Sequence, residues 1–374
     1  MWHSGMLVLL AVFATALIGC ISLIATQRWH GRLSLDHDLH GVQKIHRRPV
    51  PRIGGVAVFA ALLMGGLGAS WINEPMAPQV LALLLCSLPA FLAGLVEDTT
   101  KRVGVHARLY ASFTSAALTA WMLNASLTRL DTPGLDYFMV FAPVSVLFTC
   151  FAVGGLTNAI NIIDGINGLA SGSVILMLSG LGAMAWFHHD ILVLELCLIG
   201  IAALAGFMVL NFPSGQIFLG DGGAYLSGFW LAECAVLLLS RNQHISTWAV
   251  LLICIYPVWE TIFSIFRRRV MRNINSGLAD QIHFHHVLLQ RLHKWQRSSD
   301  TRASWKSHGL TSILIWGMVL VCQALALVAY PSNALAAIAV IWFGMLYIWL
   351  YRLFTHVSQA KLGPEDLLNL RPLK

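Results

Sequence analysis

Residues 137–168 read YFMVFAPVSVLFTCFAVGGLTNAINIIDGING. From Tyr137 to Thr157 no side chain carries a charge, and the length falls within the roughly 17–25 apolar residues that a membrane-spanning helix needs. The run then ends in a polar island. Asn158, Asn161 and Asp164 recur every three residues, which places them on one helix face, and Gly165 and Gly168 break that helix. An acid and two amides aligned at a helix end beside lipid are costly unless they bind something polar. The competing reading is a structural polar seam between helices.

The same alternation of apolar run and polar island extends over the whole chain. It is 57% hydrophobic and only 11% charged, with a mean hydropathy of +0.71, well beyond a soluble domain. Eleven apolar stretches lie near 5–26, 53–73, 79–97, 108–125, 137–157, 169–187, 190–211, 223–240, 246–265, 309–330 and 335–354. In lipid every backbone N–H and C=O must be paired internally, so these stretches predict helices; the strict alternation of a barrel strand is absent. The expected fold is all-α, a polytopic integral membrane bundle of about 11 transmembrane helices. It is expected to be one membrane domain over 1–374 whose polar loops are 27–52, 97–108, 158–168, 212–223 and 266–308.

Charge placement predicts orientation. Counted by loop parity, 22 of the 24 Lys and Arg residues fall on one side, leaving Arg129 and Arg241 on the other. The positive-inside rule makes the rich side cytoplasmic, with the N-terminus out and the C-terminus in. Leu17-Ile-Gly-Cys20 resembles a lipoprotein cleavage box. However, no Lys or Arg precedes it and apolar residues continue to Arg28, so an uncleaved first helix is expected. All seven cysteines sit in apolar segments without a CxxC pair and read as packing residues. No nucleic-acid module is recognisable.

Five islands share the basic side. The first, Asp36–Arg52 running into Gly54-Gly55, offers Lys44 and His46 as donors to phosphate oxygens. Its glycine pair opens a helix whose N-terminus favours an anion and whose bare backbone allows close approach. The second pairs Glu97 with Asp98, two adjacent acids that need a cation or a shared proton unless solvent and Lys101–Arg102 suffice. The third is Asn158–Gly168. The fourth, Gly220-Asp221-Gly222-Gly223, puts a carboxylate in a glycine turn, where it is either a metal ligand or an ordinary helix cap. The fifth, Asp280–Arg291, holds His283, His285 and His286 without the i, i+4 spacing of a helical zinc pair. Those histidines and Arg291 read as hydrogen-bond donors to a diphosphate or a base. Glu195, Glu233 and Glu260 lie inside expected spans; Glu260, near the basic boundary, is within reach of the site.

In order, these islands resemble the polyprenyl-phosphate N-acetylhexosamine-1-phosphate transferases, the bacterial undecaprenyl-phosphate N-acetylglucosamine-1-phosphate transferase-like members of glycosyltransferase family 4. The resemblance rests on Lys44-x-His46…Gly54-Gly55, the acids at 97–98, Asn158-x-x-Asn161-x-x-Asp164-Gly165-x-x-Gly168, Gly220-Asp221-x-Gly223 and His283-x-His285-His286. It implies transfer of a sugar 1-phosphate from a UDP-N-acetylhexosamine to undecaprenyl phosphate, releasing UMP, with Mg²⁺ as cofactor and Mn²⁺ as a substitute. Asp221 and Asp164 would hold the metal; Glu97, Asp98, Asp164 and Lys44 would be catalytic. His46, Gly54, Gly55, Asn158, Asn161, His283, His285, His286 and Arg291 would bind substrate. The implied place is the bacterial inner membrane with a periplasmic N-terminus and the site on the cytoplasmic face, in cell-surface polysaccharide synthesis such as O-antigen. The partners are the two substrates and membrane lipids, with a homodimer left open and no nucleic acid. This chain departs from the family pattern at Glu97 and Glu260, where aspartate is usual, and at Asn167, which replaces an aspartate. A membrane transporter and a lipid phosphatase acting on polyprenyl phosphates are the alternatives.

Overall fold

The computed structural model describes residues 2–35, 49–72, 74–271, 282–295 and 305–359. The first half of the described chain folds into α1 (Trp2–Ala25), α2 (Gln27–Ser34), α3 (Gly54–Trp71), α4 (Ala77–Thr100), α5 (Val105–Met122), α6 (Asp136–Met139), α7 (Ala142–Ile163) and α8 (Leu169–Phe187). There follow α9 (Ile191–Asn211), α10 (Gly220–Arg241), α11 (Thr247–Ile253), α12 (Ile255–Phe266), α13 (Phe284–Trp295), α14 (Trp305–Ala329) and α15 (Asn333–Gln359). A π-helical turn, Arg267–Met271, prolongs α12. The all-helical membrane bundle read from the sequence is the fold.

The number of spans needs correction. Among the described residues nine helices are long and apolar enough to cross a membrane: α1, α3, α4, α7, α8, α9, α10, α14 and α15. The α11–α12 pair makes ten if counted as one span. The remaining expected stretch, 108–125, forms α5, but Ser112, Ser115 and Thr119 are buried along it and dilute its apolar character. These hydroxyls serve the bundle: Ser115 Oγ accepts from the Ala90 amide (3.1 Å), just beyond Pro89 inside α4.

The stretch at 246–265 is not a straight helix either. It bends by 81° between α11 and α12. Pro257 explains the position, because its ring lacks an N–H and crowds the carbonyl four residues back, that of Ile253. The carbonyl so freed accepts from Gln323 Nε2 of α14 (3.1 Å), as a backbone group in a bilayer must.

At the centre stands α10, buried along its whole apolar length and packed by α3, α4, α7, α8 and α9. Its entry is tight because the backbones meet directly. A Cβ on Gly55 of α3 would strike the Gly223 backbone, and one on Gly94 of α4 would lie 2.6 Å from the Asp221 carbonyl carbon. Gly220 turns the chain into α10 with φ +73°, beside the Arg52 carbonyl.

Candidate active site

The buried α10 begins with unpaired amides, and its neighbour α4 satisfies them. Asp98, 3% exposed, takes the Asp221 amide on Oδ1 and the Gly222 amide on Oδ2, both at 2.9 Å. A carboxylate at a helix N-terminus is favoured by both the free donors and the helix dipole. With both oxygens engaged, Asp98 holds Asp221 in place through the backbone. Its sequence neighbour Glu97 points elsewhere on the helix and accepts from the Val103 amide (2.7 Å), closing the α4–α5 turn. The two adjacent acids therefore part, which their positions on a helix require.

Around Asp221 the charges do not balance. Oδ1 faces Arg52 Nη2 at 3.5 Å and accepts from Asn161 Nδ2 at 3.2 Å, while Oδ2 is held by Arg108 Nη1. Arg52 also lies 3.7 Å from Asp98. A third acid, Asp164, follows the last residue of α7 and is half-buried, and its carboxylate has neither hydrogen bond nor ion pair among the described residues. Burial, then the charge of Asp221, pushes the Asp164 carboxyl well above the usual carboxylate range; Arg52 opposes this and Asp98 adds to it. Among the described residues, three acids thus face two guanidinium groups. Arg108 also lies over the Tyr225 ring (5.8 Å), and the Tyr225 hydroxyl donates to Asn158 Oδ1 (3.0 Å).

Asn158 belongs to two environments. It lines an apolar cavity of about 610 Å³ between α5, α7, α10, α11 and α12, together with Leu156, Ala232, Val236, Val258 and Ile262. The cavity extends to Leu130, Thr247 and Trp248 at the opposite ends of these helices. It is a greasy slot ending beside the acid cluster.

The histidines reach the same cluster from α13. Gly165, next to Asp164, has the space of its missing Cβ 3.0 Å from His286 Nε2 and 3.8 Å from His285 Nε2. His283 Nδ1 pairs with Glu260 Oε1 at 2.9 Å. The His283 and His285 rings stack at 5.4 Å. Full burial, then the neighbouring His286 and His283, holds His285 well below the usual imidazole range, so it is neutral. No group of three metal-ligating side chains occurs among the described residues.

Several expected site residues sit otherwise. The amides of Gly54 and Gly55 donate to the carbonyls of Phe218 and Leu219 (3.0 and 2.9 Å), so they are spent and offer nothing to an anion. Their role is the close approach of α3 to α10. Arg291 gives Nε and Nη2 to the Phe354 carbonyl (2.9 and 2.8 Å), tying α13 to α15. Lys44 and His46 fall outside the described residues. Asn167 donates its amide to the Pro213 carbonyl (2.9 Å), a bond an aspartate could not make. Arg52, Arg108 and Tyr225 were not singled out from the sequence. The two arginines read there as topology signals, and only their nearness to the acidic islands hinted at more.

Helices of membrane-spanning length gather a buried acid and arginine cluster beside an apolar slot. Residues 80–239 match the profile of glycosyl transferase family 4. The chain is 30% identical over 258 residues to the undecaprenyl-phosphate alpha-N-acetylglucosaminyl 1-phosphate transferase of Thermotoga maritima, covering 68% of this chain and 73% of the relative. It is 25% identical over 331 residues to the probable undecaprenyl-phosphate N-acetylglucosaminyl 1-phosphate transferase of Bacillus subtilis, covering 86% and 83%. Against the corresponding alpha-N-acetylglucosaminyl 1-phosphate transferase of Escherichia coli K12 it is 25% identical over 263 residues, covering 68% and 69%. The chain belongs to glycosyl transferase family 4, among the polyprenyl-phosphate sugar-1-phosphate transferases.

Proposed function

We propose that this chain transfers an N-acetylhexosamine 1-phosphate from a UDP-sugar to undecaprenyl phosphate on the cytoplasmic face of a bacterial inner membrane. The products are a lipid-diphosphate sugar and UMP, and the reaction starts a cell-surface polysaccharide such as O-antigen. The observation that carries this reading is the charge imbalance at the head of α10, set where the apolar cavity ends at Asn158. An isoprenoid tail suits that cavity, and its phosphate would then lie beside Arg108, Arg52 and the acids. The names of the relatives point to the same substrates.

The donor set fits Mg²⁺ or Mn²⁺, hard cations that take one or two carboxylates and keep waters and phosphate oxygens. Asp221 and Asp164 are the carboxylates, since Asp164 has neither hydrogen bond nor ion pair among the described residues and the two repel one another. Bound there, the cation would supply charge neutralisation between two phosphate groups.

The chain's own residues do the rest. Asp98 fixes the Asp221 backbone, and Asn161 orients the Asp221 carboxylate. Arg52 and Arg108, with Lys44 and His46, take phosphate oxygens as partners and offset the charge that gathers as UMP leaves. His283, His285 and His286 donate to or accept from the nucleotide-sugar. An oxygen of the lipid phosphate bonds to the β-phosphorus of the UDP-sugar; the bond from that phosphorus to the bridging oxygen breaks, and its electron pair leaves with UMP. Glu97 acts through the turn that it closes.

Purified protein supplied with a panel of UDP-N-acetylhexosamines should release UMP only when a polyprenyl phosphate is present. UMP release without lipid, or inorganic phosphate from the lipid alone, would overturn the reading. For orientation, with native cysteines removed, His244→Cys should react with an impermeant thiol reagent in intact cells and Arg102→Cys should not. The reverse labelling would invert the topology.

A further inference from the structure

We infer that Glu260, on the inner half of the broken span, is the positioning residue that aims the histidine cluster at the UDP-sugar; this rests on the transferase reading above. Glu260 is 1% exposed and takes three hydrogen-bond donors. Oε1 pairs with His283 Nδ1 (2.9 Å) and accepts from the Phe284 amide (3.2 Å). Oε2 accepts from the Tyr347 hydroxyl of α15 (2.8 Å) and lies 4.0 Å from His285 Nδ1.

Each contact has a separate consequence. The Phe284 amide is the first of α13, so Glu260 caps that helix from a different helix, where a carboxylate is favoured. The bond to His283 Nδ1 fixes that ring's rotation and directs its Nε2 away from α12. His285 packs flat against the fixed His283 ring and has its Nδ1 near the Tyr256 hydroxyl (3.4 Å). Its Nε2 is thereby turned toward the Asp164–Gly165 turn, buried and without a partner. An unpaired polar atom in that place costs stability and is the mark of a group kept for a ligand. A buried carboxylate is itself costly unless several donors offset its lost hydration, and here three do.

The aim of Glu260 comes from the break below it. The 81° bend at Ile253–Ile255, stabilised by Gln323, directs α12 so that one long side chain spans α13 and α15. The added methylene of glutamate over aspartate supplies that reach.

Kinetics with both substrates varied, in matched detergent, test the assignment. Glu260→Gln keeps the size and loses the charge. Because hydrogen bonds to charged groups are the strong ones, it should raise KM for the UDP-sugar on the order of tenfold, with KM for the polyprenyl phosphate changed less than about twofold. Glu260→Asp, which keeps the charge and gives up one methylene of reach, should recover part of the loss. Tyr347→Phe, which leaves the histidine side intact, should stay within about threefold of wild type. Hydrogen exchange over Phe284–Leu289, a readout free of substrate, should rise in Glu260→Gln and not in Tyr347→Phe. An active wild type with both KM values unchanged in Glu260→Gln, or both raised together with no recovery in Glu260→Asp, would overturn the inference alone. A wild type inactive toward every UDP-sugar would overturn the transferase reading and this inference with it.

Discussion

The two ends of α10 both carry ions, and they are built on opposite plans. At the Arg241 end, Arg129 meets both oxygens of Asp131 at 2.6 Å, and the Thr247 amide caps the same carboxylate (2.8 Å). Asp190 there takes Arg241 and Asn242 at 2.8 and 2.9 Å. Asp131 and Asp190 each have a cation and an amide. At the Gly220 end, among the described residues, Asp98, Asp164 and Asp221 face two arginines, and Asp164 has neither hydrogen bond nor ion pair. The titration behaviour follows. Burial acts to raise the Asp131 carboxyl, but the Thr247 amide and Arg129 outweigh it and hold it below the usual range, whereas Asp164 is pushed well above.

That contrast is broken most severely by removing acids. Asp221→Asn should lower UMP release on the order of 10³-fold or more, since it removes the proposed metal ligand and the partner of both arginines. Asp164→Asn should do nearly as much. EDTA should abolish activity in the wild type, and added Mg²⁺ or Mn²⁺ should restore it. A residual rate within tenfold of wild type in either variant would place the metal elsewhere.

A smaller effect is expected at Glu97. Glutamine keeps an acceptor for the Val103 amide, so Glu97→Gln should cost less than about tenfold, below the roughly 10²–10⁴ of a lost acid–base group. A loss in that higher range, at matched expression, would return Glu97 to the chemistry.

The pH dependence of metal binding sharpens the comparison further. Without a cation, Asp164 carries a proton to a pH above that of ordinary carboxylates, so cation binding must displace it. The apparent affinity for Mg²⁺ should climb as pH rises through that range, with proton release seen calorimetrically in buffers of different ionisation enthalpy. Affinity independent of pH would contradict the raised Asp164.

The smallest effect on rate belongs to the other end. Asp131→Asn should leave UMP release within about twofold and lower the unfolding midpoint. Because the Asp131 carboxyl is depressed in the fold, its stabilisation is present above the pKa of the unfolded chain and is lost as pH falls through the folded one. The gap in unfolding midpoint between wild type and variant should therefore shrink in acid.

The helices and their order were legible because lipid permits little else once apolar runs of this length alternate with polar islands. The third island was equally plain: Asn158, Asn161 and Asp164 at threefold spacing did come to the acid cluster, with Asn161 on Asp221 and Asn158 on Tyr225. What stayed hidden was contact across distant segments. Arg108 resembles any boundary arginine until α5 packs on α10. Gly54-Gly55 has the signature of an anion site and instead lets two helices meet, because periodicity does not say which backbone fills the gap. The 81° bend was invisible in composition, although Pro257 marked its place. Arg291 looked like a ligand residue, and the carbonyl that claims it lies 63 residues downstream.

The central claim is that the mismatched end of α10 is a divalent-cation site. Mn²⁺ titrated into purified protein with a UDP-N-acetylhexosamine present, followed by electron paramagnetic resonance, tests it most directly. Tight binding should appear in the wild type and in Asp131→Asn, and disappear in Asp221→Asn and in Asp164→Asn. Binding that survives in Asp221→Asn would contradict the account.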